Sequence, residues 1–176
     1  MFLLGYVGTE VALGGWIVVF MRRVRSGDNF SSGIVATGFW LGLTLGRVVL
    51  GFVTPKIGEK LAIMIYLPIV MALQLCFWLI PSFISSAVFV ALEGFFLGPL
   101  FPAAVVATTK LLPKHLHVTA LGFATAFGGT GAAVFPFAVG AVAGATSVTA
   151  LQPMVLGMLV FVLAMWCGLP KMRKRD

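Results

Sequence analysis

The most informative scarcity in this 176-residue sequence is that of charge. Only 10% of its residues are Asp, Glu, Lys or Arg, whereas 60% are hydrophobic; soluble domains carry about 25% charged residues. Residues 61–92 and 118–170 contain no formally charged side chain. A soluble domain of this size could not cover so much apolar surface. The sequence therefore predicts a lipid environment. Residues 118–170 are long enough for two membrane spans of about 20 residues, and residues 61–92 for one span and the start of another.

Cysteine and histidine are also scarce, with two residues of each. Cys76 and Cys167 both lie in apolar segments, where they are interpreted as small core hydrophobes rather than as a disulfide or a metal site. His115 and His117 lie in a short basic loop and are interpreted as solvated side chains. The sequence contains no phosphate-binding loop, no HExxH and no GxSxG. We therefore predict no enzyme, no metal and no cofactor, and an intramembrane enzyme is disfavoured because no paired catalytic residues are present.

The formal net charge of +7 raises the question of nucleic-acid binding. The basic residues occur in short clusters between apolar spans, and they do not form a basic stripe interleaved with aromatic residues. The sequence therefore predicts no nucleic-acid partner, and the clusters are interpreted as signals of membrane topology.

Length and helix breakers predict an all-α membrane protein, with a six-helix transmembrane bundle over residues 1–170 and a basic cytoplasmic tail over 171–176. The predicted helices cover about residues 2–21, 32–53, 61–80, 86–111, 118–143 and 148–169.

An even number of spans puts both termini on one side of the membrane. That side holds eight basic residues against three on the other, Arg22, Arg23 and Arg25. Because cytoplasmic loops are enriched in Lys and Arg, both termini are predicted to be cytoplasmic. The eight are Lys56, Lys60, Lys110, Lys114, Lys171, Arg173, Lys174 and Arg175.

Three ionisable residues lie inside predicted spans: Glu10, Arg47 and Glu93. A charge at the bilayer centre costs about 2.5–3.5 kcal/mol on insertion scales, so such residues normally face a protein interior or a wet cavity. Glu10, with Tyr6 one turn away on the same face, is interpreted either as a proton carrier or acceptor for a polar substrate, or as a structural glutamate bonded to a neighbouring helix. Arg47 is assigned a structural or gating role in preference to substrate binding.

Glycine and proline are concentrated in particular spans. After Glu93 the fourth span contains Gly98, Pro99 and Pro102, and each proline removes a backbone hydrogen bond. This helix is predicted to line the interior, with its kink either bending during transport or static. Pro136 kinks the fifth helix. Gly38, Gly42 and Gly46 recur every four residues in the second helix and predict close helix contact. Trp40 and Gln74 are further cavity candidates.

The stretch "GRVVLGFVTPKIGEK" resembles the cytoplasmic loop motif that follows the second helix of each half in the major facilitator superfamily. Gly51, Lys56, Gly58 and Lys60 match this motif, whereas Pro55 stands where an acid is expected and Glu59 where a base is expected. The departure at Pro55 puts in doubt the latch that the acid normally forms with a neighbouring helix. "GFFLGPLFPA" is similar to the tenth helix of many members, and "YVGTEVALGGW" resembles the seventh helix of the branch that includes fucose permease and fungal proteins.

The resemblance covers nearly the whole chain and implies the C-terminal half of a twelve-helix transporter, built as a 3+3 inverted repeat. It implies alternating access for a small solute, sugar-like or organic, often coupled to protons, with a complementary N-terminal six-helix half as partner. Gly46, Arg47, Gly51, Lys56, Gly58 and Lys60 would serve the gate. The alternative is a non-transporting membrane protein that pairs with another transporter half through its glycine stripes.

Overall fold

The computed structural model describes residues 1–170, so the predicted basic tail, residues 171–176, lies outside the described residues. The described part contains seven α-helices and two 3₁₀ turns. The helices are α1 Phe2–Val24, α2 Asn29–Ile57, α3 Glu59–Leu79, α4 Phe83–Leu97, α5 Leu100–Leu111, α6 His117–Ala145 and α7 Leu151–Cys167, and the turns are Lys114–Leu116 and Val148–Ala150.

These helices make six apolar segments long enough to cross a membrane, because α4 and α5 together form one span, Phe83–Leu111. The predicted fold class, an all-α membrane protein with six transmembrane helices, is confirmed. Large hydrophobic side chains such as Phe52, Leu79 and Phe137 are more than two-thirds exposed on the outside of the bundle. Exposure of this kind suits a surface solvated by lipid, where every backbone group is paired within its own helix.

The fourth span differs from its sequence-based prediction as a single kinked helix. It breaks into α4 and α5 at Gly98 and Pro99. Pro99 and Pro102 have no backbone N–H, so two consecutive turns lose a hydrogen-bond donor and the helical ladder is interrupted. In α6, by contrast, the helix continues through Pro136. The second span is also longer than predicted, since α2 passes through Pro55 and ends only at Gly58.

Helix α1 occupies the middle of the bundle and packs on α6, α7 and α2, while α2 packs on α4, and α3 on α4 and α7. The beginning of α1 and the end of α7 meet at one end, where the rings of Phe2 and Trp166 lie 4.7 Å apart. We call this the terminal end of the bundle and the other the distal end. The buried core between them is mostly apolar, with Phe20, Phe39 and Phe77 fully enclosed.

Glycines allow α2 and α4 to cross at backbone contact. A Cβ atom added to Gly46 would lie 1.9 Å from the Phe95 carbonyl oxygen, and one added to Gly98 would lie 2.4 Å from the Leu43 oxygen. Both helices therefore contribute a glycine face, which is the small-residue packing typical of membrane helices. Arg47 follows Gly46 directly on α2, and its Nη2 atom reaches Glu10 on α1.

Arg25 ties three helices together at the distal end. Its guanidinium donates to the carbonyl oxygens of Phe77 at 2.7 Å and Trp78 at 3.1 Å, and to Ser86 Oγ at 3.0 Å. The carbonyls belong to the C-terminal turn of α3, where a cation is favoured by the helix dipole. Burial lowers the pKa of the Arg25 guanidinium from its ordinary value. An arginine that the sequence marks only as a topology signal thus connects α1 to α3 and α4.

Candidate functional site

Three polar side chains from two helices meet inside the bundle. An Arg47 Nη2 atom on α2 lies 3.3 Å from Glu10 Oε1 and 3.5 Å from Glu10 Oε2 on α1. Tyr6, one turn before Glu10, donates its hydroxyl hydrogen bond to Glu10 Oε2. The carboxylate is therefore held by a cation on one side and a phenol on the other, both of which are charge-assisted contacts. We call Tyr6, Glu10 and Arg47 the central polar site.

The two members of the ion pair differ in exposure. The Glu10 side chain is 10% exposed and the Arg47 side chain is 44% exposed. Arg47 lies on an open face of α2 that also carries Trp40 and Thr44. The arginine thus has its Nη2 atom on the buried acid, while nearly half of its side chain remains exposed. This arrangement presents hydrogen-bond donors and an aromatic ring to anything that occupies the open face.

Tyr6 connects the central polar site to the broken span. Its hydroxyl lies 3.1 Å from the carbonyl oxygen of Leu97, the last residue of α4. Pro99 begins the break two residues later, so Tyr6 binds backbone at the point where the fourth span is interrupted. Tyr6 thus contacts both the Glu10 carboxylate and the backbone at the end of α4.

The structure places the other predicted cavity residues elsewhere. Gln74 is fully buried, and its Nε2 atom donates to Gln152 Oε1 on α7. Trp40 is 41% exposed on α2 and packs edge-on against Phe39, with ring centroids 5.2 Å apart. Glu93 is fully buried in α4. The structure therefore joins Tyr6, Glu10 and Arg47, leaves Trp40 on the same open face, and encloses Gln74 and Glu93 in the core.

The residues of the predicted loop motif lie at the terminal end. Gly58 has φ of +97°, a conformation that favours glycine, and it ends α2. Lys60 donates to the Leu169 carbonyl oxygen, while Trp166 Nε1 donates to the Lys60 oxygen at 3.1 Å. Lys56 is exposed, and a Cβ atom on Gly51 would meet no other atom within 4 Å. Unlike Gly58, Gly51 is not required there by a tight contact.

An acid–base contact also closes this end, although the motif has lost its usual acid. Lys110 Nζ on α5 lies 2.7 Å and 2.8 Å from the two oxygens of Glu59 at the start of α3. Glu59 is the residue that stands where a base is expected. The loop is therefore tied to α5 by an acid four positions after Pro55, where the usual acid is missing.

The remaining predicted kink residues serve packing in the described structure. The Pro136 carbonyl oxygen accepts a hydrogen bond from Trp16 Nε1 at 3.2 Å, which links α6 to α1. Gly98 and Pro99 are buried at the α4–α5 break, whereas Pro102 is exposed. None of these residues forms a hydrogen bond with the side chains of the central polar site. The fourth span is linked to that site through Leu97, whose carbonyl oxygen lies near the Tyr6 hydroxyl.

Sequence reasoning missed three polar contacts: Gln74 with Gln152, Glu59 with Lys110, and Arg25 with the end of α3. Their partners lie 51 to 78 residues apart, so helical periodicity could not pair them. The only available signal was the rarity of Gln and Glu in apolar segments. Among residues 1–170, no three His, Cys, Asp or Glu side chains lie together as a metal site.

Six apolar spans that enclose an ion pair define a polytopic integral membrane protein. The family model of the Major Facilitator Superfamily matches residues 2–175. The chain therefore belongs to the Major Facilitator Superfamily, a family of membrane transporters, and the predicted resemblance is confirmed.

A curated relative is "Bypass of stop codon protein 6" of Saccharomyces cerevisiae (strain ATCC 204508 / S288c). It is 32% identical to this chain over 184 residues, an alignment that covers 99% of the chain and 37% of the relative. The chain thus spans little more than a third of the length of this relative.

Proposed function

We propose that this chain is the C-terminal six-helix half of a secondary transporter that moves a small solute by alternating access. The observation that carries the proposal is the central polar site, an intramembrane ion pair between Glu10 and Arg47. Ionisable residues inside membrane spans are costly, and they mark substrate or proton pathways in transporters. Membership of the Major Facilitator Superfamily supports the same reading.

Proton coupling follows from the chemistry of this site. When Glu10 is ionised, it holds Arg47 and accepts from Tyr6. When Glu10 takes up a proton, the charge attraction to Arg47 is lost, and the guanidinium is free to bind an oxygen-rich solute on the open face of α2. Tyr6 then loses the carboxylate as its hydrogen-bond acceptor and keeps only the Leu97 carbonyl oxygen. This change couples protonation of Glu10 to the break between α4 and α5.

A complementary six-helix half is the proposed partner. Helix α6 belongs to the least buried of the six spans, in which 22% of the most apolar 18-residue segment is buried. Its exposed side carries a row of small residues at helical spacing, interrupted by the exposed Phe137, and the four small residues before Phe137 permit close approach of another helix. The row consists of Gly122, Ala126, Gly129, Ala133, Ala141 and Gly144. The partial coverage of the yeast relative supports a missing half.

We also propose that the terminal end faces the cytoplasm. In the described structure the lysines that flank α2, α3 and α5 all belong to this end, where Lys60 contacts Leu169 and Lys110 contacts Glu59. The distal end carries three arginines, of which Arg25 is bound to backbone carbonyls and Arg22 and Arg23 are exposed. Among residues 1–170 the terminal end has four lysines, Lys56, Lys60, Lys110 and Lys114, and an excess of basic residues on the cytoplasmic side is what the positive-inside rule requires.

The transport proposal is tested with this chain reconstituted together with its proposed N-terminal half in liposomes under an imposed pH gradient. Radiolabelled hexoses and monocarboxylates serve as probes. We expect Glu10→Gln to abolish gradient-driven uptake without loss of membrane insertion, because the amide cannot take up and release the proton. Asp28→Asn is the matched control, since Asp28 caps α2 at an exposed position. Normal uptake by Glu10→Gln at every pH tested would reject this role.

A second candidate function is a non-transporting membrane protein that pairs with another transporter half. The open row of small residues on α6 favours it, because that surface suits helix pairing whether or not a solute is carried. Co-purification with a partner together with no flux of any probe would favour this candidate. Gradient-driven flux that depends on Glu10 would exclude it.

A further inference from the structure

Glu93 lies in the middle of α4 and is the most thoroughly enclosed acid in the described chain. It is 0% exposed, and neither carboxyl oxygen has a hydrogen-bond partner among residues 1–170. Transferring an unpaired carboxylate into a protein interior is far more costly than transferring the neutral acid, so such a group carries its proton. We propose that Glu93 is a proton-binding site, occupied and sealed in this conformation and separate from the central polar site.

The charged groups on the neighbouring helices are engaged elsewhere or face outward. Helix α4 packs on α1, α2 and α3. Arg47 binds Glu10, Lys60 binds the Leu169 carbonyl oxygen, and Arg22, Arg23 and Lys56 are exposed. The titratable and charged groups on these three helices and at their ends are Tyr6, Glu10, Arg22, Arg23, Arg25, Asp28, Arg47, Lys56, Glu59, Lys60, Tyr66 and Cys76.

Arg25 is the cation that binds α4 itself, and its position can be related to that of Glu93. Its Nε atom donates to Ser86 Oγ, seven residues before Glu93. At a rise of 1.5 Å per residue the two levels are about 10 Å apart. Tyr6 and Tyr66 are occupied by Glu10 and by Thr54. No cation among the described residues therefore compensates a negative charge on Glu93, and the neutral form is the one that fits.

The amide groups of Gln74 and Gln152 lie near the height of Glu93 along the bundle axis. Arg25 binds both Phe77 and Ser86, so these two residues lie at about the same height, and Gln74 lies about 4.5 Å from that height along α3. Glu93 is thus about 6 Å from Gln74 along the bundle axis. In the Gln74–Gln152 pair, Gln74 Oε1 has no partner. Both groups are therefore unpartnered in this conformation, and a hydrogen bond from the protonated Glu93 carboxyl to Gln74 Oε1 would need α4 to move relative to α3.

The broken span supplies the movement. Glu93 lies five residues before Gly98, where α4 ends and the fourth span is interrupted. Tilting of α4 about this break would separate it from α3 and admit water to Glu93. Proton exchange at this site would then require a conformational change. Its role in coupling rests on the proposed transport function, whereas its protonation state does not.

Infrared spectroscopy of the purified chain in lipid nanodiscs tests the protonation state directly. The sequence has only five carboxyl side chains, so individual bands can be assigned by substitution. At about pH 7, well above the ordinary Glu pKa of about 4.3, we expect the carbonyl stretch of a protonated carboxylic acid. Glu93→Gln should remove this band, and the matched controls Glu59→Gln and Glu10→Gln should leave it. The band should also shift slowly in D₂O, because the site is sealed.

A thermal unfolding measurement provides the second readout. An acid that is neutral and unpaired contributes no ion pair, so Glu93→Gln and the apolar Glu93→Leu should leave the unfolding temperature unchanged or raise it. Absence of a protonated-acid band in the wild type, or its persistence in Glu93→Gln, would overturn the proposal. A large drop in unfolding temperature in both variants would overturn it too, since it would reveal a structural ion pair. The transport assay decides the proposed function separately, through Glu10.

Discussion

Gly46→Ala is expected to destabilise the bundle by about 1–3 kcal/mol, the usual cost of overpacking a close-packed contact. The new Cβ atom would lie 1.9 Å from the Phe95 carbonyl oxygen and 2.7 Å from its carbon. These are backbone atoms, so no side-chain rotation can relieve the clash, and α2 and α4 must move apart. Gly46→Leu should prevent the crossing altogether.

The matched control for this prediction lies on the same helix. A Cβ atom added to Gly51 meets nothing within 4 Å, so Gly51→Ala should be neutral or stabilise α2 by up to about 1 kcal/mol through helix propensity. Unfolding in detergent, followed by circular dichroism, compares the two variants. Equal stability of Gly46→Ala and Gly51→Ala would contradict the backbone contact between α2 and α4.

Arg47→Leu is expected to lower the free energy of unfolding by about 2–3 kcal/mol, somewhat less than the roughly 3–5 kcal/mol of fully buried pairs. The expected loss is smaller than for a fully buried ion pair because the Arg47 side chain is 44% exposed. The loss arises because Glu10, only 10% exposed, would keep a buried negative charge without its cation. Lys56→Leu, which removes an exposed cation near the end of the same helix, should change stability by less than about 0.5 kcal/mol.

The double variant Glu10→Gln with Arg47→Leu distinguishes an ion pair from two independent effects. Once both charges are removed, most of the lost stability should return, because no uncompensated charge remains in the interior. A double variant that loses the sum of both single effects would contradict coupling between α1 and α2 at this site.

Much of the fold could be predicted because lipid imposes simple rules. The absence of charge over residues 61–92 and 118–170 defines three of the six spans, the third, fifth and sixth, and the i, i+4 spacing of Tyr6 and Glu10 is sufficient to place both on one face of a helix. What spacing cannot predict is which helix comes next to which. Glu10 and Arg47 are 37 residues apart, and their contact depends on how α2 crosses the bundle.

Helix breaks were harder to predict than helices. Prolines lie in several spans, yet α2 continues through Pro55 and α6 continues through Pro136, whereas the fourth span breaks at Pro99. The difference is local, since Pro99 is followed by Pro102 and preceded by Gly98, so several turns are weakened at once. A single proline removes one hydrogen bond, which a membrane helix tolerates.

The most direct test of the central claim is the water accessibility of the face that carries Arg47. In the proposed complete transporter, with Cys76, Cys167 and any cysteine of the N-terminal half replaced by alanine, a cysteine is introduced at Thr44 or, as control, at Val160. Both positions are exposed near the middle of a span, but α7 around Val160 carries only apolar neighbours. A membrane-impermeant, water-soluble maleimide should label Thr44→Cys and leave Val160→Cys unlabelled. Equal protection of both would contradict a solute pathway beside Glu10 and Arg47.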